Sequence, residues 1–157
     1  KIPPEALALI YNSCDCTINI SDAEGFGLTT LESLSCGTPI IVTMTGGLQE
    51  QVTDGEDWFG VGIEPASQAV IGSQQVPYIY EDRLSQEEVV AALTKMYNMT
   101  KEERDEVGRK GMEHVRKNYN FEEYGEKWIE VLENIHEKNG SWENRKNHKK
   151  WYFMEIK

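Results

Sequence analysis

Ser21-Asp22-Ala23-Glu24-Gly25-Phe26-Gly27-Leu28-Thr29-Thr30-Leu31-Glu32 is the stretch from which the rest of the chain can be read. The β-branched run Thr17-Ile18-Asn19-Ile20 leads into it and reads as a strand, while Leu28-Thr29-Thr30-Leu31-Glu32-Ser33-Leu34 reads as a helix. Gly25 and Gly27 stand between them. A strand that enters a helix through such a turn leaves backbone N–H groups without intrahelical acceptors, at the positive end of the helix dipole. The N–H groups of Gly27, Leu28 and Thr29 therefore make an anion site suited to phosphate. Glu24 precedes the turn, and Glu32 lies about one helical turn inside the helix. A phosphate cradle between two carboxylates, each able to accept hydroxyl protons, suits a nucleotide-sugar.

Outward from this stretch the chain alternates strands and helices. Residues 4–13 look helical, with Pro4 at the start and apolar positions on one side. Gly37 and Pro39 stop the Leu28 helix, and Pro39-Ile40-Ile41-Val42-Thr43 reads as a buried strand. A Gly46-Gly47 turn then opens a short helix around 48–52, and Trp58-Phe59-Gly60-Val61-Gly62-Ile63 reads as a third strand. Short apolar strands alternating with helices indicate an α/β fold: a Rossmann-like parallel sheet with flanking helices. Residues 66–84 show no period and read as an extended surface loop. Ser85-x-x-Glu88, Thr100-x-x-Glu103 and Asn120-x-x-Glu123 then announce three helices by their capping pairs. Val89, Leu93, Met96 and Tyr97 give the first an apolar face. The middle one is charged, with Val107, Gly111 and Val115 as a narrow inner edge. Phe121, Tyr124, Trp128, Val131, Leu132 and Ile135 stripe the last, and core packing is the expected use of that stripe.

At 157 residues there is room for one ordinary domain or part of a larger one. The net charge of −11 is unevenly spread: residues 138–157 carry six Lys/Arg against two Glu, which leaves −15 on the first 137. We divide the chain accordingly into a body, 1–137, and a basic, aromatic tail, 138–157. An acidic body argues against nucleic-acid binding, which needs a basic face. Cys14, Cys16 and Cys36 form no repeated framework, so reduced thiols, largely buried, and a cytoplasmic setting are expected. Asn98-Met99-Thr100 and Asn139-Gly140-Ser141 fit the glycosylation pattern and are read as chance. No D-x-D motif or ligand-spaced Cys/His cluster suggests a metal, and no cofactor beyond the nucleotide-sugar substrate is expected.

Glu24-Gly25-Phe26-Gly27 followed by Glu32 resembles the E-x7-E signature of retaining glycosyltransferases of the GT4 type. The likeness continues through Leu34-Ser35-Cys36-Gly37-Thr38-Pro39-Ile40-Ile41-Val42, Gly46-Gly47-Leu48-Gln49-Glu50 and Asp54-Gly55, covering roughly residues 7–65. It implies the C-terminal, donor-binding domain of a GT-B fold, in a metal-independent enzyme. In that resemblance Glu32 holds the ribose hydroxyls of the donor. Glu24 lies by the donor sugar, as the residue assigned to catalysis, where it binds a hydroxyl or stabilises positive charge at the transferring carbon. Gly25, Phe26, Gly27, Leu28 and Thr29 offer backbone to the diphosphate, and Gly46 and Gly47 form the second glycine loop. Without a ligand, an acid such as Glu32 in a first helical turn would still stabilise the dipole by about 0.3–1 kcal/mol.

The same resemblance implies that the family's phosphate-neutralising Arg and Lys, several strands and the N-terminal acceptor domain lie upstream. We therefore expect a fragment, inactive by itself, with no cation near its motif and an exposed sheet edge. A non-catalytic nucleotide-binding or partner-docking remnant is the alternative. A dinucleotide-binding oxidoreductase fits poorly, because position 30 is Thr rather than the third glycine and no acid ends a strand some 20 residues on. The tail is expected to dock back across the interdomain cleft, with peripheral contact to anionic lipid a weaker reading.

Overall fold

The computed structural model describes residues 2–146 and residue 154, which fall in two compact units, Lys1–Asn118 and Tyr119–Lys157. In the first unit Pro4–Asn12 forms α1, Thr17–Asn19 β1, Leu28–Ser35 α2, Ile40–Thr43 β2, Leu48–Val52 α3 and Gly60–Ile63 β3. The strands are parallel in the order β1-β2-β3, with Ile18, Ile41 and Val61 in one row. The α/β sheet expected from the sequence is present, with the Leu28 helix and the 48–52 helix where they were read.

Side-chain alternation divides this sheet into two packed faces. Ile41, Val61 and Ile63 bury against Ala92 and Met96 of α4 (Gln86–Asn98). Ile40 and Val42 point the other way, toward α2 and α3. Leu34, Ile40, Ile41, Val42, Leu48 and Val52 have no solvent exposure, and each contributes about 1.5–3 kcal/mol on burial. The core therefore sits directly beneath the C-terminal ends of β1 and β2, where the glycine loops begin. β1 is an edge strand, and its Ile18 stays half exposed.

The three capping pairs form as read. Ser85 and Glu88 close a reciprocal capping box on α4. Thr100 and Glu103 exchange bonds of 2.7 and 3.2 Å before α5 (Lys101–Asn118). Asn120 accepts from Glu123 N–H at 2.7 Å before α6 (Phe121–Asn139). α5 lies on the α2 side, burying Gly108, Gly111 and Val115.

Four expectations are corrected. Residues 66–84 form a hairpin, not a loop: β4 (Ser67–Ile71) pairs antiparallel with β5 (Ile79–Arg83). Its strands are largely exposed, so no alternation of burial marked them in the sequence. Within its own unit the aromatic stripe of α6 is not packed away: no residue of that helix is buried, and Phe121 with Tyr124 (tilted) and Tyr124 with Trp128 (edge-on) meet with ring centroids 6.2 Å apart. On α4 the buried pair is Ala92 and Met96, while Leu93 and Tyr97 are exposed, because Ala92 and Met96, four residues apart on one stripe, are the positions that meet Ile41, Val61 and Ile63. Cys14 is exposed rather than buried, since it falls in the turn after α1, while Cys16 and Cys36 are partly buried. Of the tail, residues 147–153 and 155–157, half of its length, lie outside those described, and the docking and lipid readings rest largely on them.

Candidate functional site

Gly27 is the N-cap of α2, with φ 87° and ψ 60°. A Cβ here would lie 2.6 Å from Leu48 Cδ2 and 2.7 Å from Thr30 Oγ1, so both the left-handed backbone and the packing demand glycine. Gly25, by contrast, has no positive φ, and a Cβ on it would meet nothing within 4 Å. The first intrahelical bond runs from Leu31 N–H to Gly27 O at 3.2 Å. The N–H groups of Leu28, Thr29 and Thr30 thus precede the helical ladder, and Leu28 and Thr29 are exposed.

The second glycine loop presses against the first. Gly47 N–H donates to Gly25 O at 3.2 Å. A Cβ on Gly46 would overlap the Glu24 carbonyl, and one on Gly47 would lie 2.6 Å from Phe26 O. Only two glycines allow backbone to meet backbone this closely. The structure therefore brings together Gly25, Phe26, Gly27, Gly46 and Gly47, with Leu28 and Thr29 at the helix start beside them.

A buried amide fastens this arrangement, and its role was not legible in the sequence. Gln51 of α3 has no solvent exposure; its Nε2 donates to Phe26 O at 2.5 Å. The Thr30 hydroxyl lies 2.6 Å from Gln51 Oε1 and 2.8 Å from Gly27 O, sharing its one proton between them. One side chain thus sets the carbonyls of the turn and leaves its N–H groups facing outward.

The two carboxylates are held from different sides. Asn19, at the end of β1, donates through Nδ2 to Glu24 Oε2 at 3.4 Å, while its Oδ1 accepts from Ser21 N–H at 3.2 Å. Tyr11 of α1 donates its hydroxyl to Glu32 Oε2 at 2.9 Å. Burial first, and then this bond to Glu32, push the Tyr11 phenol up to about 12, so at neutral pH it remains a donor. Glu32 is exposed, with its second oxygen beyond this bond. Neither Tyr11 nor Asn19 stood out in the sequence, because both act on partners remote from their own neighbours.

The hairpin reaches the same region. Asp82 N–H donates to Asp22 O at 2.8 Å, and Arg83 Nη1 meets Asp22 Oδ2 at 2.9 Å. Arg83 thus brings a cation to Asp22, two positions before Glu24 in the chain, where the sequence reading expected none near the motif. Its charge is shared with Glu81, at 2.9 Å. The Asp82 carboxylate accepts from Thr45 and Gln68, which hold it below the usual carboxylate range, Thr45 contributing most. Among the described residues, no group of three or more His, Cys, Asp or Glu is placed to hold a metal ion. No helix among them is long and apolar enough to cross a membrane.

A strand-turn-helix with two glycine loops in backbone contact, and a carboxylate on either side, thus stands at one end of a parallel α/β sheet. Residues 1–114 match the family described as Glycosyl transferases group 1, and the chain belongs to that family. Among curated relatives it is 44% identical over 69 residues to D-inositol 3-phosphate glycosyltransferase of Acidothermus cellulolyticus, covering 43% of this chain and 15% of that protein. It is 31% identical over 121 residues to trehalose synthase of Pyrococcus horikoshii, covering 77% of this chain and 24% of that one. The matched segments thus span a quarter or less of those relatives' length. Sucrose-phosphate synthase from Thermosynechococcus elongatus superposes with a TM-score of 0.65 at 22% identity, over 87% of this chain and 29% of that chain. The fold is similar to that of a GT-B glycosyltransferase.

Proposed function

We propose that this chain supplies the donor-binding half of a retaining glycosyltransferase, which moves a sugar from a nucleotide-sugar to an acceptor hydroxyl. The observation that carries the reading is the backbone lock between Gly25 and Gly47, which presents the α2 N-terminus between Glu24 and Glu32. The exposed N–H groups of Leu28 and Thr29 bind the diphosphate, aided by the helix dipole. Glu32, aligned by Tyr11, accepts the vicinal hydroxyls of the ribose through its remaining oxygen. Glu24, steadied by Asn19, lies toward the transferred sugar, where a carboxylate stabilises positive charge developing at the anomeric carbon. Attack by the acceptor from the face that the diphosphate leaves retains the configuration. The acceptor domain and the cations that neutralise the leaving diphosphate come from elsewhere in the complete enzyme.

The test is an NMR binding panel of UDP-glucose, GDP-mannose and the free diphosphates on the 157-residue chain. We expect affinity no better than millimolar, about −4 kcal/mol, for one base over the other. Glu32→Ala should abolish that binding while leaving the spectrum folded. A folded chain indifferent to every nucleotide would reject the donor-site reading in favour of a non-catalytic remnant.

A further inference from the structure

The segment that carries Glu24 has no hydrogen-bonded ladder of its own. Residues 20–26 lie between β1 and α2, outside any helix or strand, so their position depends on ties from elsewhere in the fold. After Glu24 the tie is Gly47 N–H to Gly25 O, from the second glycine loop. Before Glu24 the ties come from the hairpin. Asp82 N–H donates to Asp22 O at 2.8 Å, and the Arg83 guanidinium reaches Asp22 Oδ2 at 2.9 Å. Asp22 is thus gripped through its backbone and its side chain at once. Asn19 reaches the Glu24 carboxylate only at 3.4 Å, a weak hold by comparison.

The surroundings of Arg83 make that grip directional. Its Nη1 also donates to Asp82 O at 2.9 Å, and its Nη2 to Glu81 Oε2 at 2.9 Å. Its own carbonyl accepts from Ala66 N–H at 2.9 Å, which closes the base of the hairpin. A planar fork that meets three acceptors is fixed in direction, as the single ammonium of a lysine would not be. The carboxylates of Asp22 and Glu81 offset its one charge, so it is no spare cation for a diphosphate. What it fixes is the place of Asp22, two residues before Glu24.

We propose that Arg83 is a positioning residue for Glu24: by clamping Asp22 to the base of the hairpin, it aims the Glu24 carboxylate at the transferred sugar. The inference rests on the donor-site reading and adds a division to it. The sugar half of the donor answers to the hairpin, while the nucleotide half, at the start of α2, does not. The side chains of Arg83 and Asp22 are 36% and 55% exposed, so water screens the pair and a few-fold effect is expected, not a loss of all binding.

The experiment compares, by NMR titration of the 157-residue chain, UDP-glucose with UDP and GDP-mannose with GDP. One nucleotide-sugar should bind about threefold or more tightly than its own diphosphate. Arg83→Gln should remove most of that advantage while leaving the affinity for the free diphosphate within about twofold. Arg83→Lys should restore part of it. Asp22→Asn, a change at an exposed side chain, should reproduce the effect of Arg83→Gln, and the double variant should add nothing further. An advantage untouched by both single variants, effects that add in the double variant, or a diphosphate affinity that falls in step would each overturn the positioning role and leave the donor site standing. A parent chain that binds sugar-nucleotide and diphosphate equally would do the same. A folded chain that binds neither would overturn the donor-site reading and this role with it.

Discussion

Tyr11 turns Glu32 from a freely rotating surface acid into an oriented one. A phenol that loses its bond leaves the carboxylate to wander, and a neutral-to-charged hydrogen bond is worth about 1.5–3 kcal/mol at most sites. Because Glu32 is exposed, water replaces much of that bond. Tyr11→Phe should therefore weaken nucleotide affinity by about threefold to tenfold, with an unchanged melting temperature, measured by the same NMR titration. Equal affinity would show that Glu32 needs no help. Thr43 makes a contrasting case: its hydroxyl is buried at the end of β2 and has no hydrogen-bond partner among the described residues. Thr43→Val keeps the shape and removes the unpaired group, so stability should rise by about 1 kcal/mol, seen as a higher urea midpoint at constant slope. Such roles are hidden from sequence reading. The spacing of Glu24, Gly27 and Glu32 was legible because the three lie within nine consecutive residues. Tyr11 and Gln51 act on residues 21 and 25 positions away, and only the fold brings them there.

The helices and strands were legible where burial imposes a period or a cap side chain marks a start. α2 and α3 follow directly from glycine turns and apolar residues, and the three capping pairs fix α4, α5 and α6. The hairpin escaped because both of its faces carry polar and exposed apolar residues, leaving nothing for period-two patterning to report. Gln51 shows what the elements demand of each other at the site. Gln51→Leu would leave the Phe26 carbonyl without its buried partner, while the Thr30 hydroxyl keeps Gly27 O, at a cost of about 1–3 kcal/mol. Nucleotide binding should fall with it, since the turn is no longer set; thermal melts and the NMR titration together check both. Gly108 is a packing demand of another kind, where α5 passes the turn after α2. A Cβ there would overlap Gly37 O, which is backbone and cannot swing aside. Gly108→Ala should destabilise by about 1–3 kcal/mol through overpacking, with the site chemistry untouched.

For the molecule as a whole, acidity is the dominant electrostatic fact, with −11 at neutral pH. Asp54, Asp82, Glu106 and Glu123 all titrate below the usual carboxylate range, through backbone N–H bonds for Asp54 and side-chain partners for the others. A depressed folded-state value means that the unfolded chain takes up protons first as pH falls. Their contribution is thus present at neutral pH and lost only below about pH 4. Circular dichroism across a pH series should show it intact at pH 6 and eroding below 4. On the proposed reading, the acidic surface leaves a diphosphate to be held by local geometry and not by the overall field. Backbone amides at one helix end must do the work against a repulsive background, which makes them the place to look. The decisive measurement is ¹⁵N amide shift mapping of the chain during titration with UDP and GDP. The largest shifts should fall on Gly27, Leu28 and Thr29, followed by Gly46 and Gly47. A folded chain whose largest shifts lie away from both glycine loops, or that shows none, would contradict a donor site at the start of α2.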